Sequence, residues 1–295
     1  MGAPDIAAVS ELLDVAAEVD GHRALGEHQW LDLVQGGRHG FAGLVAWEPG
    51  HDHPVGYAQV TRGHGADWAL EYVVDPHHRD SDCDIDADLV RAALEVIGDE
   101  GGGHVHLWVP KPREVHDDIA RRVGLQRGRE LLQMRRPLPV DEPYELVTRP
   151  FRPGHDEAAW LDVNNRAFAR HPEQGDWSLA TLEEREGEPW FDPEGFLLHE
   201  RDSRLAGFCW TKIHIDHDPV LGEIYVIAVD PDFQGKGLGR ALVLAGLDSL
   251  SERGVGTGML YVDASNTPAV SLYRDLGFEV DHIDRAYTGN IAATG

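Results

Sequence analysis

The stretch EIYVIAVDPDFQGKGLGR, residues 223–240, decides the fold class of this chain. Its first seven residues are rich in β-branched side chains, which predicts a buried strand. Asp230-Pro231 then turns the chain, and the glycines of Gln234–Gly239 lead into a pattern of helical spacing. Glycine lets backbone N–H groups turn toward a ligand, and a helix N-terminus carries partial positive charge. This order of strand, turn, glycine loop and helix predicts a site for a pyrophosphate group.

The loop differs from two better-known phosphate-binding motifs. No Gly-Lys-Ser/Thr sequence closes it, which excludes a P-loop. Its glycines are also more closely spaced than those of the dinucleotide-binding fingerprint. The phosphate-binding turn therefore belongs to another class.

The same arrangement occurs twice along the chain. Residues 70–76 align with residues 224–231, and apolar residues at three- and four-residue spacing follow each Asp-Pro pair. Each copy continues into a glycine-bearing turn, a strand and a closing strand, and a proline-rich segment separates the copies. We predict an α+β protein with a first domain over 1–138, a linker over 139–144 and a second domain over 145–295.

Composition excludes two classes of partner. The 295 residues include 26 Lys+Arg, only three of which are lysines, against 52 Asp+Glu, a net charge of −26. A surface this acidic repels phosphate backbones and anionic lipids. We therefore expect no nucleic-acid partner and no membrane association. The excess of acids also favours adaptation to high salt, as in an acidic proteome.

The remaining global features predict a cytoplasmic protein that is monomeric. The first twenty residues lack a basic segment followed by an apolar run, and no stretch is long enough to span a membrane. The two cysteines, Cys83 and Cys209, have no metal-binding or redox spacing, so we expect reduced thiols.

Two motifs resemble the GNAT N-acetyltransferase superfamily. Gln234, Gly237 and Gly239 match its acetyl-CoA loop, and residues 266–278 match the segment Asn-x-x-Ala-x-x-Leu-Tyr-x-x-x-Gly-Phe. The resemblance implies two GNAT domains, each a mixed, mostly antiparallel sheet flanked by helices, with acetyl-CoA as the co-substrate. It also implies a set of cofactor-binding residues: Ile227, Ala228, Val229, Gln234, Gly235, Lys236, Gly237, Leu238, Gly239, Arg240, Asn266, Thr267, Pro268, Ala269, Val270 and Ser271.

A narrower resemblance covers about residues 164–287. The tandem copies together with HPEQGDW (171–177), WFDPEG (190–195), GFCWTK (207–212) and MLYVD (259–263) are similar to the mycothiol synthases. That family acetylates the cysteinyl amine of desacetylmycothiol, the last step of mycothiol biosynthesis. The resemblance implies a set of substrate-binding residues: Glu27, Glu173, Lys212, Glu223 and Tyr261. Two alternatives stay open, a GNAT enzyme for another amine (a protein N-terminus, an aminoglycoside or a polyamine) and a non-catalytic sensor of acetyl-CoA.

Acetyl transfer to an amine needs a base for the amine and a proton for the departing thiolate. Glu223 opens the strand before the cofactor loop and is the candidate base, with a solvated strand-end acid as the alternative. Tyr273 is the candidate acid, with a packed aromatic residue as the alternative. The family pattern favours both catalytic roles, and it assigns to the amides of Ile227 and Val229 the pantetheine arm and the thioester oxygen. Asn266 is expected to cap the helix that carries Tyr273.

The first copy departs from the pattern after Asp75-Pro76. No glycine occurs between Pro76 and Gly98, and five aspartates stand where a pyrophosphate would lie. We therefore predict that the first copy does not bind CoA at this loop. Histidine pairs are scattered through the chain, at 51/53, 77/78, 104/106 and 214/217, without metal-binding spacing, so we expect no metal.

Overall fold

A computed structural model describes residues 3–34, 40–50, 53–63, 67–79, 84–169, 175–215 and 217–294. The chain forms two compact units, residues 1–131 with 282–295, and residues 132–281. The division predicted at residues 139–144 stays a prediction about domains. The last stretch of the chain, residues 282–295, belongs to the first compact unit rather than to the second. In the described ranges, no helix is long and apolar enough to cross a membrane.

The predicted α+β class is confirmed. The helices are α1 (Ala3–Asp20), α2 (Glu27–Val34), α3 (Ile85–Asp99), α4 (Glu114–Arg122), α5 (Glu157–Ala167), α6 (Leu179–Glu186), α7 (Leu238–Glu252) and α8 (Thr267–Asp275). The strands are β1 (Phe41–Trp47), β2 (Pro54–Arg62), β3 (Asp67–Val74), β4 (Gly103–Pro110), β5 (Gln126–Pro137), β6 (Arg149–Pro150), β7 (Phe196–Arg201), β8 (Arg204–His214), β9 (Leu221–Val229), β10 (Thr257–Asp263) and β11 (Glu279–Ile291).

The first unit is a sheet built around a buried helix. Strands β1, β2 and β3 are antiparallel neighbours, β3 runs parallel to β4, and β4 pairs with β11 in antiparallel register. Helix α3 presents the apolar spacing of its sequence to this sheet, burying Leu89, Val90 and Ile97 among strand residues. Tyr287 of β11 belongs to the same core, so residues 282–291 complete the unit.

The second unit repeats this plan. Strands β6 to β9 are antiparallel neighbours, and β10 pairs with β9 in parallel. Helix α7 packs against β8 and β9, and the approach is close: a Cβ on Gly222 would lie 2.7 Å from a methyl carbon of Leu250. Glycine at position 222 is therefore needed for the helix to sit on the sheet.

An aromatic cluster fills the other side of this second sheet. Trp160 of α5 is fully buried, and its ring centroid lies 5.2–5.9 Å from those of Trp177, Phe196, Phe208 and Trp210. Edge-to-face and tilted pairs of this kind add stabilisation beyond the burial of apolar area. The cluster gives β7, β8 and β9 a rigid backing.

Candidate active site

The site begins where strands β9 and β10 separate. In the continuously described stretch 217–294, their parallel pairing covers only residues 222–224 of β9 and 258–260 of β10, although β9 runs on to Val229. The register between β8 and β9 also skips Tyr225, a bulge that increases the local twist. Past Ile224, β9 therefore leaves β10 and keeps only its pairing with β8.

This separation leaves backbone amides of β9 outside the sheet ladder. Asp230 donates its N–H to the carbonyl of Ala206, which follows from its position next to β8. Because successive N–H groups of a strand point to opposite sides, the amides of Ile227 and Val229 point toward the gap and that of Ala228 toward β8. The two amides are thus placed as donors for a ligand lying along β9.

The glycine loop follows directly and ends on the N-terminus of α7. The carboxylate of Asp230 accepts the N–H of Asp232 at 2.9 Å, which fixes the turn between strand and loop. Gly235 and Gly237 have φ angles of +79° and +74°, and a Cβ on either would meet open space. The left-handed conformation, rather than crowding, selects glycine at these two positions.

A cavity of about 390 Å³ opens beside this helix N-terminus. It is lined by residues of the second unit: Glu145, Leu146, His199, Arg201, Lys236, Gly237, Leu238 and Ala241. Arg201, Lys236 and the positive end of a helix face it against one carboxylate, that of Glu145, so positive charge prevails beside the helix N-terminus, as an anionic phosphate group requires.

The other predicted loop residues divide into two groups. Gln234 is exposed and donates to the carbonyl of Val229 at 3.4 Å, while Lys236 lies 6.0 Å from the ring of Phe233. Arg240, in contrast, forms a bidentate salt bridge with Glu142, with N–O distances of 2.8 and 2.9 Å. Leu238 and Gly239 are the first residues of α7. Lys236 is therefore an exposed cation at the loop, whereas the charge of Arg240 is already paired with that of Glu142.

Helix α8 carries the second predicted segment. Asn266 caps it by accepting the N–H of Ala269 at 3.3 Å, with Pro268 in the first turn. Thr267, Pro268 and Ser271 are exposed, and Val270 is buried. The predicted cap is thus present, and the first turn offers an exposed edge.

Tyr273 is the seventh residue of α8 and is 8% exposed. Its ring packs edge-on against Phe278, with centroids 5.8 Å apart. Burial, with a smaller contribution from Cys209, raises the pKa of Tyr273 to about 12. The phenol therefore stays protonated at neutral pH, as a proton donor must. Tyr273 is thus a packed aromatic residue, and its role as the acid stays a prediction.

Glu223 is 8% exposed and makes a contact that the sequence did not reveal. The Nε2 atom of His214 lies 2.7 Å from its Oε2 atom, a hydrogen bond in which the imidazole N–H donates. His214 and Lys212 share one face of β8, and Lys212 is directly opposite Glu223. The ring of His217 lies 5.7 Å from that of His214. A buried carboxylate is thus connected to two imidazoles.

Lys212 is held over aromatic rings. Its Nζ atom lies 4.2 Å from the ring centroid of Trp190 and 5.4 Å from that of Tyr225. Such stacking attracts a cation to a ring face and limits the positions of a long side chain. Lys212 is therefore a positioned cation beside Glu223 rather than a freely solvated one.

The three remaining predicted substrate residues are Tyr261, Glu27 and Glu173. Tyr261 on β10 is 42% exposed, and its hydroxyl accepts a hydrogen bond of 2.7 Å from Gln133. Glu27 is the first residue of α2, and its side chain lies outside the described part of the chain. Glu173 also lies outside the described residues. The structure thus brings together Lys212 and Glu223 from the predicted set and adds His214.

The family model for the acetyltransferase (GNAT) family matches residues 157–278, which contain the glycine loop together with Lys212, His214, Glu223 and Tyr273. Among solved structures, a GCN5-related N-acetyltransferase from Sphaerobacter thermophilus superposes with a TM-score of 0.74 at 25% identity, covering 98% of this chain and 93% of that one. A tandem GNAT protein from the clavulanic acid biosynthesis pathway gives a TM-score of 0.71 at 16% identity over 99% and 96% of the two chains. The predicted tandem GNAT fold is confirmed.

Sequence relatives are more specific. The mycothiol acetyltransferase of Acidimicrobium ferrooxidans is 46% identical over 278 residues, with 92% of this chain and 89% of that protein covered. The mycothiol acetyltransferase of Thermobispora bispora is 44% identical, with 96% and 95% covered. This chain is an acyltransferase, and it belongs to the mycothiol acetyltransferase family of tandem GNAT proteins.

Proposed function

We propose that this enzyme transfers the acetyl group of acetyl-CoA to the cysteinyl amine of desacetylmycothiol, giving mycothiol and CoA. The observation that carries the proposal is the buried pair of Glu223 and His214 at the point where β9 leaves β10. A base stands there beside the gap in which a thioester would lie. The full-length similarity to mycothiol acetyltransferases supports the choice of acceptor.

The cofactor occupies the second unit in this proposal. Its pyrophosphate binds the amides of the glycine loop, residues 234–239, at the N-terminus of α7. Its pantetheine arm runs along β9 and takes the N–H groups that β10 does not pair. The carbonyl oxygen of the thioester then receives an N–H of this strand, which stabilises the oxyanion as charge develops.

Proton transfer proceeds in two directions. The ammonium group of the acceptor gives a proton to Glu223, directly or through one water, and the neutral amine attacks the carbonyl carbon of the thioester. The N–C bond forms, the tetrahedral intermediate loses its second amine proton to the same base, and the C–S bond breaks. Tyr273 donates its phenolic proton to the departing CoA thiolate and regains one from solvent.

His214 is a positioning residue in this scheme. Its N–H holds Glu223 in place, and Glu223 gives the first amine proton to solvent before it accepts the second. Lys212 lies opposite Glu223 and provides a cationic donor for an oxygen of the acceptor.

The test is a thiol-release assay with acetyl-CoA in high-salt buffer, comparing desacetylmycothiol with cysteine, spermidine and an alanine-led peptide. We expect strong turnover with the cysteinyl pseudodisaccharide alone. Preference for another amine would overturn the acceptor, and binding of acetyl-CoA without thiol release from any amine would overturn catalysis.

Two substitutions test the pair itself. Glu223→Gln removes the base, so kcat should fall at least a hundredfold while the KM for acetyl-CoA stays within a few-fold. His214→Gln should lower kcat about tenfold and change its dependence on pH, whereas the exposed His155→Gln serves as the control. A His214→Gln enzyme with the parental kcat and pH profile would exclude the positioning role.

A further inference from the structure

The Asp-Pro turn of the first unit has the same hydrogen bond as that of the second unit, but different residues surround it. Asp75 accepts the N–H of His77 at 2.8 Å, as Asp230 accepts the N–H of Asp232 at 2.9 Å, and both aspartates are buried. The equivalent turns thus hold equivalent carboxylates immediately before a short helical turn.

What neutralises the two carboxylates is different. In the second unit, Asp230 pairs with Arg166 and lies 3.8 Å from a guanidinium nitrogen of Arg204. In the first unit, imidazoles surround Asp75, and Nδ1 of the exposed His77 lies 3.1 Å from its Oδ1 atom. Nε2 of His53 lies 3.5 Å from Asp75, and Nδ1 of His78 lies 3.6 Å from it. Permanent cations have been replaced by groups that bind metal ions as well as protons.

We propose that His53, Asp75 and His78 form a binding site for a divalent transition-metal ion of the zinc class. One ligand atom from each side chain lies within 4.8 Å of the other two. Two imidazoles and one carboxylate are a donor set that suits zinc. The three residues come from the entrance to β2 and the turn after β3, so the metal joins two segments that are distant in sequence.

The distances agree with a tetrahedral centre. Zinc binds imidazole nitrogen at about 2.0–2.1 Å and carboxylate oxygen at about 2.0–2.2 Å, so neighbouring ligand atoms lie roughly 3.3–3.5 Å apart. Nε2 of His53 lies 3.5 Å from Oδ2 of Asp75 and Nδ1 of His78 lies 3.6 Å from Oδ1, close to this spacing, and the three ligand atoms all lie within 4.8 Å of one another. His53 is 48% exposed, which leaves one side of the centre open to a water ligand.

The residues around the ligands are arranged to hold them. The backbone N–H of His77 fixes one oxygen of Asp75, and Oε2 of Glu48 lies 3.5 Å from Nε2 of His78. A carboxylate on the far nitrogen of a ligating histidine directs the near nitrogen at the metal and raises its basicity. Here that leaves Nδ1 of His78 facing Asp75.

The Asp75 carboxylate is charged, and the neighbouring Arg79 pairs with a different carboxylate. Burial opposes ionisation of Asp75, but hydrogen bonds from His77 and His78 outweigh it and hold its pKa below the ordinary range. The Arg79 guanidinium binds Asp20 through N–O distances of 2.6 and 2.8 Å and donates to the carbonyl of Val74 at 3.0 Å. Arg79 is therefore engaged with Asp20, and imidazoles are the groups that face Asp75.

The experiment is equilibrium titration of the chelator-treated, full-length protein with Zn²⁺ and separately with Co²⁺. Calorimetry gives the stoichiometry, and visible absorption of Co²⁺ reports a tetrahedral site. Both are done in about 1 M KCl, where screening suppresses loose binding of divalent ions to the acidic surface. The variants are His78→Asn, His53→Asn and Glu48→Gln. The control is His104→Asn, which removes a histidine that contacts His106 and Asn290 in the same unit.

We expect one tight metal ion per chain, a tetrahedral Co²⁺ spectrum, and unchanged binding by the His104→Asn control. His78→Asn should weaken binding at least a hundredfold, and Glu48→Gln about tenfold. His53→Asn should weaken binding similarly to His78→Asn, and because this side chain is half exposed its loss should leave the fold intact. No tight ion, or equal affinity in the His53→Asn variant and the control, would overturn the site and leave an ordinary cluster of ion pairs. Neither result bears on acetyl transfer, whose proposed groups are in the second unit.

Discussion

Glu186, the last residue of α6, gives the sharpest test of the electrostatics of the second unit. It is half-buried, and its Oε1 atom is sealed from solvent without a hydrogen-bond partner in the described part of the chain. Burial, together with the negative charges of Glu157 and Glu183, raises the pKa of Glu186 from about 4.5 to about 7. We predict that Glu186→Gln stabilises the protein at neutral and higher pH.

The size and sign follow from linkage between protonation and folding. Between about pH 4.5 and 7 the folded chain retains a proton that the unfolded chain has lost, so stability declines as pH rises through this window. The full pKa difference corresponds to roughly 3 kcal/mol. Because the Glu186 side chain is partly exposed to solvent, we reduce this to about 1–2 kcal/mol at pH 8. At pH 5.5 the gain should be less than half as large.

The measurement is urea unfolding followed by tryptophan fluorescence at pH 5.5 and pH 8, at constant salt and above the isoelectric point of about 4.9. Glu184→Gln is the matched control, because it removes an exposed carboxylate from the same helix and should change stability by less than about 0.5 kcal/mol. A gain that is equal at the two pH values, or a loss at pH 8, would refute the reasoning.

Three further predictions concern the site. Tyr273→Phe keeps the ring packing but removes the proton donor, so kcat should fall about a hundredfold or more with little change in melting temperature; an active phenylalanine enzyme would remove Tyr273 from the mechanism. Gly237→Ala places an alanine at a φ of +74°, so the KM for acetyl-CoA should rise in steady-state assays. The control is Gly254→Ala, which has a φ of +82°, is also in open space, and should cause only the same backbone strain of about 1 kcal/mol. Equal effects of the two variants on this KM would argue against a cofactor loop. Lys212→Met should raise the KM for the amine without changing that for acetyl-CoA, and the opposite pattern would place this lysine on the cofactor.

Local patterns predicted the elements whose formation depends on near neighbours. The strand, glycine loop and helix over 223–240 occur as β9, the loop and α7, because β-branched residues, an Asp-Pro turn and helical spacing all act within a few residues. The cap of α8 by Asn266 was likewise visible, since a capping residue acts on the helix that immediately follows it.

Features that depend on register were not predictable. The contact between His214 and Glu223 depends on how β8 pairs with β9, and the bulge at Tyr225 shifts that register by one residue. His53 approaches Asp75 through a similar long-range arrangement. A signal existed for the first contact, because Lys212 and His214 alternate on one strand, but their partner strand had to be known.

The position of β11 has a consequence for how the chain is made. Residues 284–291 pair with β4, and Tyr287 is buried in the core of the first unit while its hydroxyl donates to Asp117 at 2.8 Å. A ribosome synthesises this strand only after the whole of residues 132–281. The N-terminal unit can therefore complete its sheet only after residues 132–281, the second unit, have been translated.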